Sequence, residues 1–481
     1  MACCHQKTTC SRQCAHGPGY ASPLDAFENG PREKILIVTC PNVDPTRNDM
    51  IATVDVDPNS DTYCKVIGRL RLPYTNDEVH HTGWNVCSSC YDNNKLSRSH
   101  MIAPCLNSSR IYIIDTADVK NLRIHKVIEP EILFSYDVSF PHTTHCLPDG
   151  NIMISTLGDM KGENKGSFIL LNAQNFDPVG TWPRKDSRIP PFNYDYWYQP
   201  RQNVMISTEW GVPNNIKEGF AIEHLEKGLY GQSLHIWDWK NHVLQKTIKL
   251  EGPCGSVPLE VRFLHDPTSV HAFVGTAVGS SIYHIYKDSV SNEFEVEKSL
   301  SIPPVDVSNW FLDQIPALIT DILISMDDKY LYLSCWLHGE IRQYDISDPF
   351  NAKLVGQVFL GGVLNSEPHI VLKGGEKNER KPVELCINGE KIDGGPQMLQ
   401  LSLDGKRLYV STSLYRSWDR QFYPSMMKNG AKLLRIDVDT VDGGLNLNKE
   451  FLVDFGRLPD GPYLAHEMRY PGGDCTSDIW I

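Results

Sequence analysis

The chain has 481 residues, 41% of them hydrophobic and 10% aromatic, enough apolar material for a large buried core. A net charge of −13 with no basic block excludes nucleic acid as an expected partner, because phosphate binding needs clustered Lys and Arg. No apolar stretch reaches membrane-span length and the first residues lack the apolar core of a signal peptide, so the expected location is cytoplasmic, with a nuclear or peripheral membrane pool left open. Fourteen cysteines in that setting read as reduced thiols rather than a disulfide framework.

The chain opens on MACCHQKTTCSRQCAH, four cysteines and two histidines with no apolar periodicity, so residues 1–20 are expected to be a disordered leader. From there a two-strand pattern recurs seven times. The first runs are ILIVTC (35–40), MIAPC (101–105), NIMIST (151–156), NVMIST (203–208), AFVGTA (272–277), YLYLSC (330–335) and RLYVST (407–412). Each is followed by a five-residue segment: IATVD (51–55), IYIID (111–115), FILLN (168–172), LHIWD (234–238), YHIYK (283–287), IRQYD (341–345) and LLRID (433–437). β-Branched and aromatic residues dominate both sets, and turns such as LPDG and LDG precede several of the first runs. Recurrence at intervals near one four-stranded sheet predicts an all-β, seven-bladed β-propeller in a single domain, 21–481. The alternative is a two-sheet sandwich array with accidental spacing.

Innermost strands are then expected at HHTGWNVC (80–87), HTTHCL (142–147), YDYWYQ (194–199), LEVRFL (259–264), ITDILIS (319–325) and MLQLSL (398–403). The first unit has none, and LAHEMRYP (464–471) is free to fill the gap, closing the ring and removing an exposed sheet edge. The best helix candidate is 218–229, and the Lys-, Glu- and Gly-rich 366–395 reads as a charged excursion.

Histidines fall at the beginnings of these innermost strands: His80, His81, His142, His145 and His466, with His338 in a loop expected at the same end of its blade. Six imidazoles at one channel mouth are costly to protonate together and are well satisfied by a cation; zinc, copper, iron and nickel all suit neutral imidazole. Taken singly, each histidine also fits a satisfied buried polar group. Glu78, Glu209, Glu260, Asp321 and Glu467 occupy comparable positions and are candidates to orient imidazole N–H groups or to ligate directly. Cys87 and Cys90 form a lone CxxC, a weak zinc or redox signal, while Cys105, Cys335 and Cys386 read as packing residues.

The segments VHHTGWNVCSSC (79–90), HTTHC (142–146), YDYWYQPRQNVMISTEW (194–210), WLHGEIRQYDISDP (336–349), GGPQMLQLSLDGKRLYVSTSLY (394–415), DRQFYP (419–424) and AHEMRYPGGDCTSDIWI (465–481) closely resemble the selenium-binding protein family, in its animal form, from about residue 17 to 481. The cysteine-rich start departs from the family's short leader. The resemblance implies a seven-bladed propeller that uses copper to oxidise methanethiol with dioxygen and water to formaldehyde, hydrogen sulfide and hydrogen peroxide. It carries selenium binding onto Cys64, which ends DVDPNSDTYC (55–64), and a catalytic role onto Cys87, Cys90 and His80. On that reading His81, His145, His338 and His466 are expected to hold copper, with His142, Glu209 and Glu467 as alternates or supporting groups. Cys64 starts the outermost strand of the first blade, away from the axis, and so reads as a thiol or selenium adduct site. Two other readings stand beside it. One is a non-catalytic selenium- or thiol-binding scaffold in protein transport or redox signalling, meeting protein partners through the leader and the charged 376–384. The other is a metal-dependent lactone or ester hydrolase, disfavoured by the histidine bias.

Overall fold

The computed structural model describes residues 17–367, 369–373 and 384–481; residues 1–16 of the leader and the middle of the charged excursion lie outside these. Among the described residues there are seven four-stranded antiparallel sheets, and the fold is all-β with short helices. Ordered by their middle strands, sheet 1 is built on Ile35–Cys40, sheet 2 on His100–Pro104, sheet 3 on Asn151–Gly158, sheet 4 on Val204–Ser207, sheet 5 on His271–Thr276, sheet 6 on Tyr330–Cys335 and sheet 7 on Arg407–Ser411.

The apolar runs become strands because both of their faces are covered. Tyr330–Cys335 is buried throughout and pairs in unbroken register with Glu340–Asp345, from Tyr330 opposite Asp345 to Cys335 opposite Glu340. The outer strand Val243–Lys249 alternates between half-buried and exposed positions over most of its length, leaving one face solvated. Consecutive sheets share apolar cores. Ile37 and Ile51 of sheet 1 meet Met101 and Tyr112 of sheet 2, Ile102 and Ile113 meet Ile152 and Ile169 of sheet 3, and Phe168 meets Tyr196 and Trp237 of sheet 4. The series runs on through sheets 5, 6 and 7, and Tyr409, Leu433 and Phe451 of sheet 7 share a core with Leu36, Val38 and Val54 of sheet 1.

Sheet 1 takes its fourth strand from Met468–Arg469, which pairs antiparallel with Val38 and Ile37, so the segment expected to fill the gap does so over two residues. The innermost strand of sheet 2 is equally short, Gly83–Trp84, against an expectation of 80–87. A Cβ on Gly83 would stand 2.5 Å from the carbonyl oxygen of Thr144, so the close approach of sheets 2 and 3 requires glycine there. The helix expected over 218–229 is confined to Ile222–Glu226, bracketed by Gly219 at φ 114° and Gly228 at φ 68°. The flanks of the excursion are folded: Val371–Leu372 pairs with Val307 and Ser308, and Cys386–Ile387 forms a hairpin with Glu390–Lys391. In that hairpin Ile387 points into the core shared by sheets 6 and 7, so alternation turns Cys386 to solvent; the expectation that Cys386 is a packing residue is corrected.

Candidate metal centre

Three sheets deliver four imidazoles to one place. His80 and His81 stand just ahead of Gly83–Trp84 in sheet 2, His142 lies on Ser139–Cys146 in sheet 3, and His466 precedes Met468–Arg469 of sheet 1. Thr39 of sheet 1 fixes two of these segments at once. Its hydroxyl donates to the His80 carbonyl at 2.9 Å and accepts the Glu467 N–H at 3.0 Å, while its carbonyl accepts the His466 N–H at 2.9 Å. The rings of His80 and His466 stack at 3.6 Å, those of His81 and His142 lie 4.0 Å apart, and His81 and His466 are 5.1 Å apart. Ring nitrogens of His80, His81 and His466 all lie within 4.8 Å of one another.

The nitrogens divide cleanly. Nδ1 of His466 is 2.9 Å from the Ser413 carbonyl, Nδ1 of His142 is 3.0 Å from the Thr143 hydroxyl, and Nδ1 of His81 is 3.4 Å from a Glu467 carboxylate oxygen. Nε2 of His81, His142 and His466, and both ring nitrogens of His80, are buried with no hydrogen-bond partner. Burial pushes the His142 and His466 imidazoles down to about 3, and burial together with the neighbouring imidazoles drives His80 and His81 well below the ordinary range. All four are therefore neutral lone-pair donors at pH 7. Leaving several buried acceptors unsatisfied is costly, and a nitrogen-preferring transition ion answers that cost directly. A nitrogen-only set of this kind does not suit calcium or magnesium.

Glu467 supports the cluster from behind. One carboxylate oxygen faces His81 and accepts from Arg469 at 2.6 Å; the other accepts the Thr82 hydroxyl at 2.8 Å and the Thr82 N–H. Burial raises this carboxyl to about 7. Aromatic walls complete the site: Tyr194 lies 4.0 Å from the His142 ring, Tyr415 meets His80 edge-on at 6.1 Å, and Trp210 packs on Tyr194 at 5.4 Å and Tyr415 at 6.0 Å.

Of the six imidazoles expected together, His145 and His338 lie elsewhere. His145 is three residues beyond His142, about 10 Å along a strand, where its Nδ1 is 3.3 Å from the Ser477 carbonyl and its ring meets Tyr196 and Trp197 edge-on, each at 5.2 Å. His338 donates from Nε2 to the Ile315 carbonyl at 3.0 Å and sets Nδ1 3.6 Å from Glu340, so its ring is engaged beside its own sheet. Glu209 is likewise committed, accepting the Gln232 and Ser233 N–H groups at 2.8 and 2.7 Å and facing His235 at 2.9 Å. Glu260 and Asp321 surround Arg262 together with Asp195, and Glu78 pairs with Arg416. Cys87 and Cys90 follow Gly83–Trp84 whereas His80 and His81 precede it, which places the thiols at the other end of that strand from the imidazoles. Cys64 sits in the turn between two outer strands of sheet 1, half-buried at φ 62°, with its sulfur 3.9 Å from the Glu450 carbonyl of sheet 7.

The wall residues Tyr194, Trp210 and Tyr415 were not singled out by sequence. Tyr194 had a positional signal, since it opens YDYWYQ as His142 opens HTTHCL.

Residues 14–481 match the family described as 56kDa selenium binding protein (SBP56). The chain is 51% identical to a human protein named methanethiol oxidase over 470 residues, covering 97% of this chain and 98% of that one. It is 51% identical to mouse selenium-binding protein 2 over 469 residues with the same coverage. The crystal structure of a hypothetical selenium-binding protein from Sulfolobus tokodaii superposes with a TM-score of 0.85 at 38% identity, covering 96% of this chain and 98% of its own. With a family match across nearly its whole length and half its residues shared with these relatives, the chain belongs to the 56kDa selenium binding protein family.

Proposed function

We propose that the chain is a copper-dependent methanethiol oxidase, converting one molecule each of methanethiol, dioxygen and water into one each of formaldehyde, hydrogen sulfide and hydrogen peroxide, and housed in a seven-bladed propeller whose ring is closed by Met468–Arg469. The observation that carries the proposal is the set of buried, partnerless ring nitrogens on His80, His81, His142 and His466. The ring is supported by shared cores that pass through every sheet and return from sheet 7 to sheet 1. The activity is supported by the name of the human relative.

In this reading His80, His81 and His466 hold the ion, with His142 beside them. Copper supplies one-electron exchange with dioxygen and a Lewis acid that favours the thiolate over the thiol. The protein's part is positioning. The Ser413 carbonyl and Glu467 fix the His466 and His81 tautomers by holding Nδ1, leaving Nε2 as donor. Tyr194, Trp210 and Tyr415 keep water away and offer apolar surface to a methyl group. Replacing His80 or His466 by alanine is expected to lower copper content and methanethiol turnover at least tenfold, while His145→Ala and His338→Ala keep copper. Copper retained by His466→Ala and lost by His338→Ala would overturn the assignment.

A selenium-binding role is favoured beside it by the equal identity to mouse selenium-binding protein 2, with half-buried Cys64 as the thiol that would carry the adduct.

A further inference from the structure

Three thiols that the metal reading does not use meet at the far end of the innermost strands of sheets 2 and 3. Cys87 precedes and Cys90 ends the turn Ser88–Cys90, and Cys146 is the last residue of Ser139–Cys146. The sulfurs of Cys87 and Cys146 are 2.6 Å apart. The Ser89 hydroxyl touches all three, 3.3 Å from Cys87, 3.4 Å from Cys146 and 3.8 Å from Cys90. The turn is held firmly: Asp478 accepts the Ser88 hydroxyl at 2.5 Å and Arg98 at 2.7 Å, and the Tyr20 N–H donates to Ser88 at 3.2 Å.

Cys90 has a backbone carbonyl in reach, that of Leu147 at 3.7 Å, so it is its acidity and not this contact that separates it from other buried cysteines. Cys40, Cys105 and Cys475 each direct the thiol at a backbone carbonyl, 3.6, 3.9 and 3.5 Å away, and burial raises all three well above the ordinary thiol range. Cys90 moves the opposite way, down to about 7, chiefly because the Cys146 thiol hydrogen-bonds to it. Cys90 is also the least covered of the trio, 5% exposed against 1% for Cys87 and 2% for Cys146.

We propose that Cys87, Cys90 and Cys146 form a two-electron thiol redox site that consumes a hydroperoxide and ends as a disulfide between Cys87 and Cys146, not within the CxxC. The sulfurs of the final pair need to close by only about 0.5 Å to reach a covalent S–S length of about 2.05 Å. The Cys90 thiolate attacks the peroxide: an S–O bond forms, the O–O bond breaks, and an alcohol or water leaves after taking up a proton. The Cys146 sulfur displaces water from that sulfenic acid, giving a Cys90–Cys146 disulfide. Cys87 then attacks the Cys146 sulfur and Cys90 leaves as thiolate. The sum is two thiols plus one hydroperoxide giving one disulfide, the corresponding alcohol and water. This site requires no metal and goes beyond the oxidase reading.

The test treats the reduced full-length protein with one equivalent of hydrogen peroxide, alkylates the remaining thiols, and maps linked peptides by mass spectrometry. The expected product joins the Cys87 and Cys146 peptides and carries alkylated Cys90. A Cys87–Cys90 link, or three alkylated thiols, overturns the proposal. Cys146→Ser is expected to leave a sulfenic acid at Cys90 that a 1,3-dione captures. Cys90→Ser is expected to slow formation of the Cys87–Cys146 bond at least tenfold, and an unchanged rate would remove Cys90 from its role.

Discussion

Without a bound cation this protein should be sensitive to mild acid in a way that can be traced to single imidazoles. His142 and His466 are pushed down from an ordinary value of 6.5 to about 3 by burial. Below about pH 6.5 the unfolded chain takes up protons at these positions and the folded chain does not, so stability is lost as pH falls from there toward 3. Each imidazole costs about 1.4 kcal/mol per pH unit, or about 2 kcal/mol at pH 5. Carboxyls act in the opposite sense: Glu78, Asp321 and Glu467 are raised to about 7 and Asp419 to about 8, so the folded chain binds their protons first and gains stability as pH falls through those values. The total slope therefore mixes both, and a difference isolates the imidazole. Urea melts of chelator-treated protein near pH 7.5 and pH 5 should show the parent losing about 2 kcal/mol more than His142→Gln over that interval. Equal losses, within about 0.5 kcal/mol, would refute the claim that this ring is held neutral by its surroundings.

Glu467→Gln keeps an acceptor for Thr82 but removes the carboxylate that faces His81 and Arg469 above about pH 7; copper affinity measured by competition titration at about pH 8 should fall roughly 10- to 100-fold. Ending the chain after Glu467 retains the four imidazoles but deletes the fourth strand of sheet 1, and calorimetry should show a midpoint at least about 10 °C lower or loss of cooperativity; an unchanged cooperative melt would count against ring closure. Cys64→Ser should leave methanethiol turnover within about twofold while reducing selenium retained after selenite treatment, read by elemental mass spectrometry, because that thiol lies between outer strands and away from the imidazoles.

Strand content was legible because the middle strands are covered on both faces and so read as uninterrupted apolar runs; YLYLSC matches Tyr330–Cys335 residue for residue. Innermost strands were harder. HHTGWNVC contains only two paired residues, since its histidines serve a site and its cysteine a turn instead of a ladder. Position along a strand told which end a histidine occupies but not where its ring turns. His338 lies in the expected loop, yet Ile315 offers a carbonyl that takes its Nε2 proton. His142 and His145 share one strand, and a register shift between Pro141 and Thr144 together with the strand's rise separates them, which a letter pattern cannot express. Cys146 carries no pairing signal in the sequence because the CxxC suggests its own partner, whereas its sulfur contact with Cys87 crosses between sheets over a separation of 59 residues.

Thr39 and Glu467 touch across a separation of 428 residues, and the same contact seats His466 among rings contributed by the first third of the chain. A growing polypeptide therefore displays His80, His81 and His142 long before the residue that finishes the set has been synthesised. On the proposed copper reading, a chain stopped before residue 466 lacks one of the three imidazoles that would hold the ion. Ion affinity would then report that these two distant segments have met in the folded chain.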